Sequence, residues 1–150
     1  MKALKRIVLG SLLFLTVVVL GACAQKTTVL GIGEVTVEIV TAGDNPETQT
    51  VETEYISNSK TIRFEETDDL MGVLRANFTV YCANQEGGKD ETCSYDSGFG
   101  RYLVAIDSLD ATTVTNGYIS FYVDGAYAIT GIDETDLVDG RVYSFKLETF

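Results

Sequence analysis

The chain has 150 residues, with 11 basic against 22 acidic side chains, a formal net charge of −11, and neither histidine nor tryptophan. Without histidine it lacks the commonest general base and metal ligand, and it cannot build a Ser-His-Asp or Cys-His relay. An acidic surface repels phosphate backbones, so nucleic acid is not an expected partner. No catalytic residue, resident cofactor or metal site is expected, and the chain is read as a non-enzyme. Eight tyrosines and seven phenylalanines, with apolar residues at 45%, are enough for a packed core.

The chain opens with Lys2, Lys5 and Arg6, followed by an apolar run from Ile7 to Leu20 broken only by Gly10, Ser11 and Thr16. As a helix that run spans roughly 21 Å, short of the roughly 20 residues that cross a bilayer comfortably. A basic start, a short apolar middle and small residues at the end predict a secretory signal peptide over residues 1–22. The stretch Leu20-Gly21-Ala22-Cys23 resembles the lipobox of bacterial lipoproteins at all four positions. The resemblance implies cleavage before Cys23 and acylation of its sulfur. Membrane lipid is then the first partner, and the place is the bacterial cell membrane, facing outside the cytoplasm. Two or more acyl chains hold such a protein stably, where one holds only marginally. Cleavage removes three basic residues and no acidic one, which leaves 8 against 22 and a net charge of −14.

Residues 23–33 are expected to be a lipid-anchored tether, reaching at most roughly 35 Å when extended. Residues 34–150 are expected to fold as one domain. Glu34 to Thr41 alternates apolar and polar residues and puts Val35, Val37 and Ile39 on one strand face. Ala42 to Pro46 reads as a turn. Thr48 to Ile56, marked by Val51 and Tyr55, is expected to pair back, and Thr61 to Phe64 is a short extended piece. Leu70, Val73, Leu74 and Asn77 then fall at helical spacing. Thr67 or Asp68 is expected to cap this helix. Glu65, Glu66, Asp68 and Asp69 suit the positive end of its dipole, with a metal site as the sharper alternative.

Phe78 to Cys82 is read as a strand leading into a polar, flexible stretch that ends at Cys93. In an exported protein Cys82 and Cys93 are an even pair, and a disulfide between them is expected, with free thiols as the alternative. Tyr102 to Ile106 is another strand, and Asp107 to Asn116 a polar loop. Asp124-Gly125 lies between apolar runs, a strong signal for a two-residue hairpin. That register pairs Val123 with Ala126, Tyr122 with Tyr127, Phe121 with Ala128 and Ile119 with Thr130. Ile119, Phe121, Val123, Ala126 and Ala128 then share one face, and Tyr118, Tyr122, Tyr127 and Ile129 the other. Ile132 to Asp139 is acidic and loop-like, and Asp139-Gly140 turns into a last strand over Arg141 to Leu147. One helix on a mostly antiparallel sheet is an α+β fold.

Four of these pieces together resemble the transcobalamin-like C-terminal domain family. They are Val35 to Val40, the helix around Leu70 to Leu74, Gly117-Tyr118-Ile119-Ser120-Phe121-Tyr122-Val123-Asp124-Gly125, and Asp139-Gly140-Arg141-Val142-Tyr143-Ser144-Phe145. Ile119 stands where that family usually carries tryptophan, and Asp124 where it usually carries asparagine. The resemblance implies a β-grasp-like domain found in bacterial surface lipoproteins, and a corrinoid among the ligands to consider.

The function expected is a binding module, for a small hydrophobic ligand handed to a transporter or for a neighbouring membrane protein. Tyr118, Tyr122 and Tyr127 are the expected contacts, because tyrosines on a half-covered sheet offer large amphipathic surface. Tyr102 and Tyr143 are weaker candidates. The alternative is a surface interaction or display domain with no small ligand. A calcium site at Asp133, Glu134, Asp136 and Asp139 is a further alternative, although the spacing is not that of an EF-hand loop.

Overall fold

The computed structural model describes residues 32–45 and 50–150. The leader, Cys23 and the tether up to Gly31 lie outside the described residues, as does the Pro46 end of the first expected turn. The first strand, β1 (Gly33–Asn45), runs antiparallel to β2 (Thr50–Phe64), from Gly33 opposite Phe64 to Asn45 opposite Thr50. Val35, Val37 and Ile39 are fully buried on one face, as their alternation predicts. Thr61 to Phe64 is the end of β2 and no separate piece, because the long β1 offers pairing partners along its whole length. Ala42 to Asn45 continues β1 where a turn was expected.

The helix α1 (Leu70–Asn77) buries Leu70, Met71, Val73 and Leu74. Its cap is Asp69, whose Oδ1 accepts from the Gly72 N–H at 2.6 Å. Asp68, expected as a cap with Thr67, instead accepts from the Glu65 N–H at 2.8 Å and stabilises the turn ahead of the helix.

After α1, β3 (Val80–Ala83) pairs with β4 (Lys89–Asp90), so the segment between the cysteines folds as a hairpin in place of the expected loop. Asn84 Oδ1 closes its turn by accepting from the N–H groups of Glu86 and Gly88. The Sγ atoms of Cys82 and Cys93 are bonded at 2.01 Å. Beside them, the Asp90 carboxylate accepts from the hydroxyl and N–H of Thr92 and from Ser94, and these bonds lower its pKa from 3.8 to about 2.

Next come β5 (Leu103–Ile106) and β6 (Leu109–Asp110), then a 3-10 turn at Ala111–Thr113. Leu109 and Ala111 are buried, so the stretch expected to be a polar loop belongs partly to the core. The chain closes with β7 (Gly117–Val123), β8 (Ala126–Tyr127), a 3-10 turn at Ile132–Glu134 and β9 (Val142–Thr149).

The strands form two sheets, where sequence periodicity suggested one. The larger has the order β2-β1-β9-β7-β8, and the smaller β4-β3-β5-β6. β1 and β9 are parallel neighbours at the centre of the larger sheet, and its other pairs are antiparallel. One core joins the inner face of this sheet (Val37, Ile39, Phe121, Tyr143, Phe145) to α1 and to the smaller sheet. All four residues of β5 are buried, as a short continuous apolar run allows. The fold is α+β, with the outer face of the larger sheet left to solvent along part of its width.

Candidate functional site

The hairpin forms at Asp124-Gly125, where φ is +51° and +80°. Two consecutive positive values define the type I′ turn that the pair of residues favours. Val123 pairs with Ala126 and Tyr122 with Tyr127, and the Ala128 N–H reaches the Phe121 carbonyl at 2.9 Å. The expected pairing of Ile119 with Thr130 does not form. β8 ends at Tyr127, and the Thr130 hydroxyl instead meets that of Thr135. The chain has left β7 to build a wall of its own; Ala126 shares the face of its partner Val123, as expected, but stands exposed at the sheet edge.

The expected tyrosines divide into two settings. Tyr118 and Tyr122 are half-buried on the outer face of the larger sheet, and both hydroxyls donate to Glu148, at 2.9 and 2.8 Å. This shared carboxylate raises both phenol pKa values. Burial pushes Glu148 up, and the two hydroxyls outweigh it and hold the carboxyl below its usual range. Lys146 lies 4.8 Å from the Tyr122 ring centre and pairs with Glu54 at 2.6 Å. A shallow groove of about 270 Å³ runs here, past Glu38, Ile56, Tyr122 and Lys146. The polar tips of Tyr118 and Tyr122 are thus spent on the protein itself.

Tyr127 stands at the sheet edge, edge-on to Tyr122 with ring centres 5.4 Å apart. It also lines a cleft of about 210 Å³ with Phe99, Tyr102 and Ala128, over a floor that includes Ile119 and Phe121. Two segments wall this cleft, 97–103 leading into β5 and 127–132 running on from the end of β8. Three aromatic rings stand open around it: Phe99 is 93% exposed, Tyr127 58% and Tyr102 52%. Burial pushes the Tyr102 phenol up, with Tyr127 adding to the shift. The two walls are tied together by Arg101, which donates to Asp133 through its backbone N–H, its Nε and its Nη2. Burial pushes the Asp133 carboxyl up, and Arg101 outweighs it, so the carboxyl stays below its usual range.

Phe99 was not anticipated as a site residue. Its signal is the setting Gly98-Phe99-Gly100, in which both glycines hold positive φ (+88° and +90°) and lift the ring clear of the surface. Tyr143, a weaker candidate contact in the sequence, is fully buried and belongs to the core. The acidic stretch after the hairpin does not converge on a point: Asp133 faces Arg101, and Asp139 accepts from the Glu34 N–H at 3.0 Å. Among the described residues no group of three His, Cys, Asp or Glu side chains is placed to hold a metal ion.

The fold and cleft define an α+β domain with an aromatic surface site. Residues 67–149 match the family described as a domain of unknown function, DUF4430, and the chain belongs to that family. Among solved structures, it is similar to a candidate metal binding protein from Ruminococcus gnavus ATCC 29149. The TM-score is 0.52 at 16% identity, covering 79% of this chain and 98% of that one, a likeness of fold alone. Haptocorrin in complex with Cbi aligns with a TM-score of 0.48 at 11% identity. That match covers 79% of this chain and 26% of haptocorrin, so the chain spans about a quarter of that protein's length. No curated protein matches the chain.

Proposed function

We propose that the chain is a non-enzymatic binding module, held at the outer side of a bacterial membrane through Cys23, which takes up an apolar or aromatic group in the cleft between Phe99, Tyr102 and Tyr127. The observation that carries this reading is the open aromatic rim over a buried apolar floor. Aromatic surface of this kind is costly to leave in water and marks contact sites. In this reading Tyr127 is a direct contact. Tyr118 and Tyr122 brace the hairpin that presents it through their bonds to Glu148. The strand order of the larger sheet supports a β-grasp-related fold. Its first and last strands are parallel at the centre, and a helix follows the first hairpin.

The cleft reading is tested by titrating indole, a free aromatic group of suitable size, into the full chain in phosphatidylcholine nanodiscs while recording amide NMR spectra. Saturable shifts confined to residues 97–103 and 127–132 are expected, weakened at least tenfold in a Tyr102→Ala, Tyr127→Ala double variant. Shifts spread evenly over the surface, or none, would sink the reading. The anchor has its own test, metabolic labelling with an alkyne palmitate. Cys23→Ser should lose the label and leave the membrane fraction, and a variant that keeps both would refute lipidation at Cys23.

A further inference from the structure

The cleft is small for a site that encloses a whole ligand. Its volume of about 210 Å³ lies below the roughly 300–1,000 Å³ usual for pockets that surround a small molecule. It has room for one bulky apolar group, with the rest of the ligand lying outside. What lies outside is open backbone. β8 is the edge strand of the larger sheet, and its two residues pair only with β7. Among the described residues no hydrogen bond takes up the N–H of Ile129 or Thr130, which continue from β8; Thr130 lines the cleft and Ile129 the shallow recess beside it. The Ile129 side chain is 99% exposed there. Unpaired edge backbone beside an apolar recess is the pair of features by which sheets recruit extended peptides. Main-chain bonds supply affinity, and the recess selects a side chain.

Charge narrows the occupant further. The segments that form and flank the cleft walls and the β8 edge carry Asp96, Asp124, Asp133 and Glu134 against Arg101 and Arg141; Arg101 is committed to Asp133, and Arg141 lies 3.8 Å from Asp124. The chain as a whole is at −11. A second copy would bring like charge to like charge, whereas a segment with lysine or arginine around its apolar residue meets complementary potential.

We infer that the cleft and the open β8 edge together bind an extended segment of another protein. One bulky apolar side chain fills the cleft, the segment's backbone pairs along β8, and basic residues flank the anchor. This rests on the reading of the cleft as a binding site.

The test uses the full chain in phosphatidylcholine nanodiscs, with empty nanodiscs as reference. The probe is a synthetic pool of seven-residue peptides, each with a central tryptophan and all other positions varied. Retained peptides are expected to be enriched in lysine or arginine near the tryptophan. A matched pool N-methylated on both sides of the tryptophan, which cannot pair its backbone, should be retained at least tenfold less. The Tyr102→Ala, Tyr127→Ala double variant should lose retention to the same degree. Equal retention of the N-methylated pool, or no retention of either pool while indole still shifts the cleft resonances, would overturn the inference and leave the cleft reading standing. Loss of both signals would overturn the two together.

Discussion

Replacing Tyr143 with alanine is expected to cost about 3–5 kcal/mol of folding stability, the range for deleting a large aromatic side chain from a packed interior. Tyr143 has no exposed surface, and its ring lies nearly parallel to Phe121 with centres 6.1 Å apart. The hydroxyl has a separate role. It donates to the Asp136 carbonyl at 2.8 Å and accepts from the Val138 N–H at 3.2 Å, holding the segment between the 3-10 turn and β9 against the sheet. Tyr143→Phe keeps the ring and removes both bonds, so about 1–3 kcal/mol should be lost. Urea denaturation of the three forms measures each part. An alanine variant within about 1 kcal/mol of the parent would contradict the buried position of the ring. The same segment leads back to Ile132 at the cleft, so the phenylalanine variant should also broaden the amide signals of residues 131–138.

The second large effect concerns Cys82 and Cys93, separated by 11 positions. A crosslink closing a loop of this length removes denatured-state entropy worth about 3 kcal/mol by the chain-entropy estimate. For a domain of this size that corresponds to roughly 10 °C in melting temperature. Both cysteines are buried, so the bond also fills core space. Its position ties it to the candidate site: Cys82 lies opposite Leu103, and the Ala83 N–H bonds the Tyr102 carbonyl at 2.7 Å. Melting with and without a phosphine reductant should show this drop, and a Cys82→Ala, Cys93→Ala variant, which also removes two buried sulfur atoms, a drop at least as large. The double variant should bind indole more weakly as the Tyr102 wall loosens. A melt indifferent to both treatments would show that the bond contributes nothing to stability.

Much of the sheet was legible because alternation is a local signal. Val35, Val37 and Ile39 announce a buried face within five positions, and Asp124-Gly125 announces its turn by the backbone angles it tolerates. The helix was equally plain, but its cap was not. Asp68 and Asp69 are adjacent and chemically alike, and only the turn geometry decides which carboxylate reaches the Gly72 N–H. The second sheet was hidden because β4 and β6 are two residues each, too short to show a period. Leu109 and Ala111 are isolated apolar residues in a polar stretch, and their burial depends on what arrives from elsewhere in the chain.

The site was partly legible for the same reason. Tyr122 and Tyr127 were brought together by register alone. Strand alternation also put Tyr118 and Tyr122 on the outer face, but nothing local told that Glu148, on the last strand, would collect both hydroxyls. Tyr143 sits among residues that look half-exposed, and its burial is set by its ladder partners Val37 and Val123 and by the diagonal ring of Phe121. Phe99 and Tyr102 meet Tyr127 only because two segments about 28 positions apart fold against each other.

The interior position of β1, between β2 and β9, has a mechanical consequence. A pull applied at Gly33 along β1 would meet β2 paired on one side, from Gly33 to Asn45, and β9 paired on the other, from Thr36 to Val40. In that geometry the bonds of the two ladders, transverse in the antiparallel pair and slanted in the parallel one, are loaded together in shear. Under the proposed anchoring at Cys23, these two shear-loaded ladders are what would carry the load from a partner bound at the domain's surface.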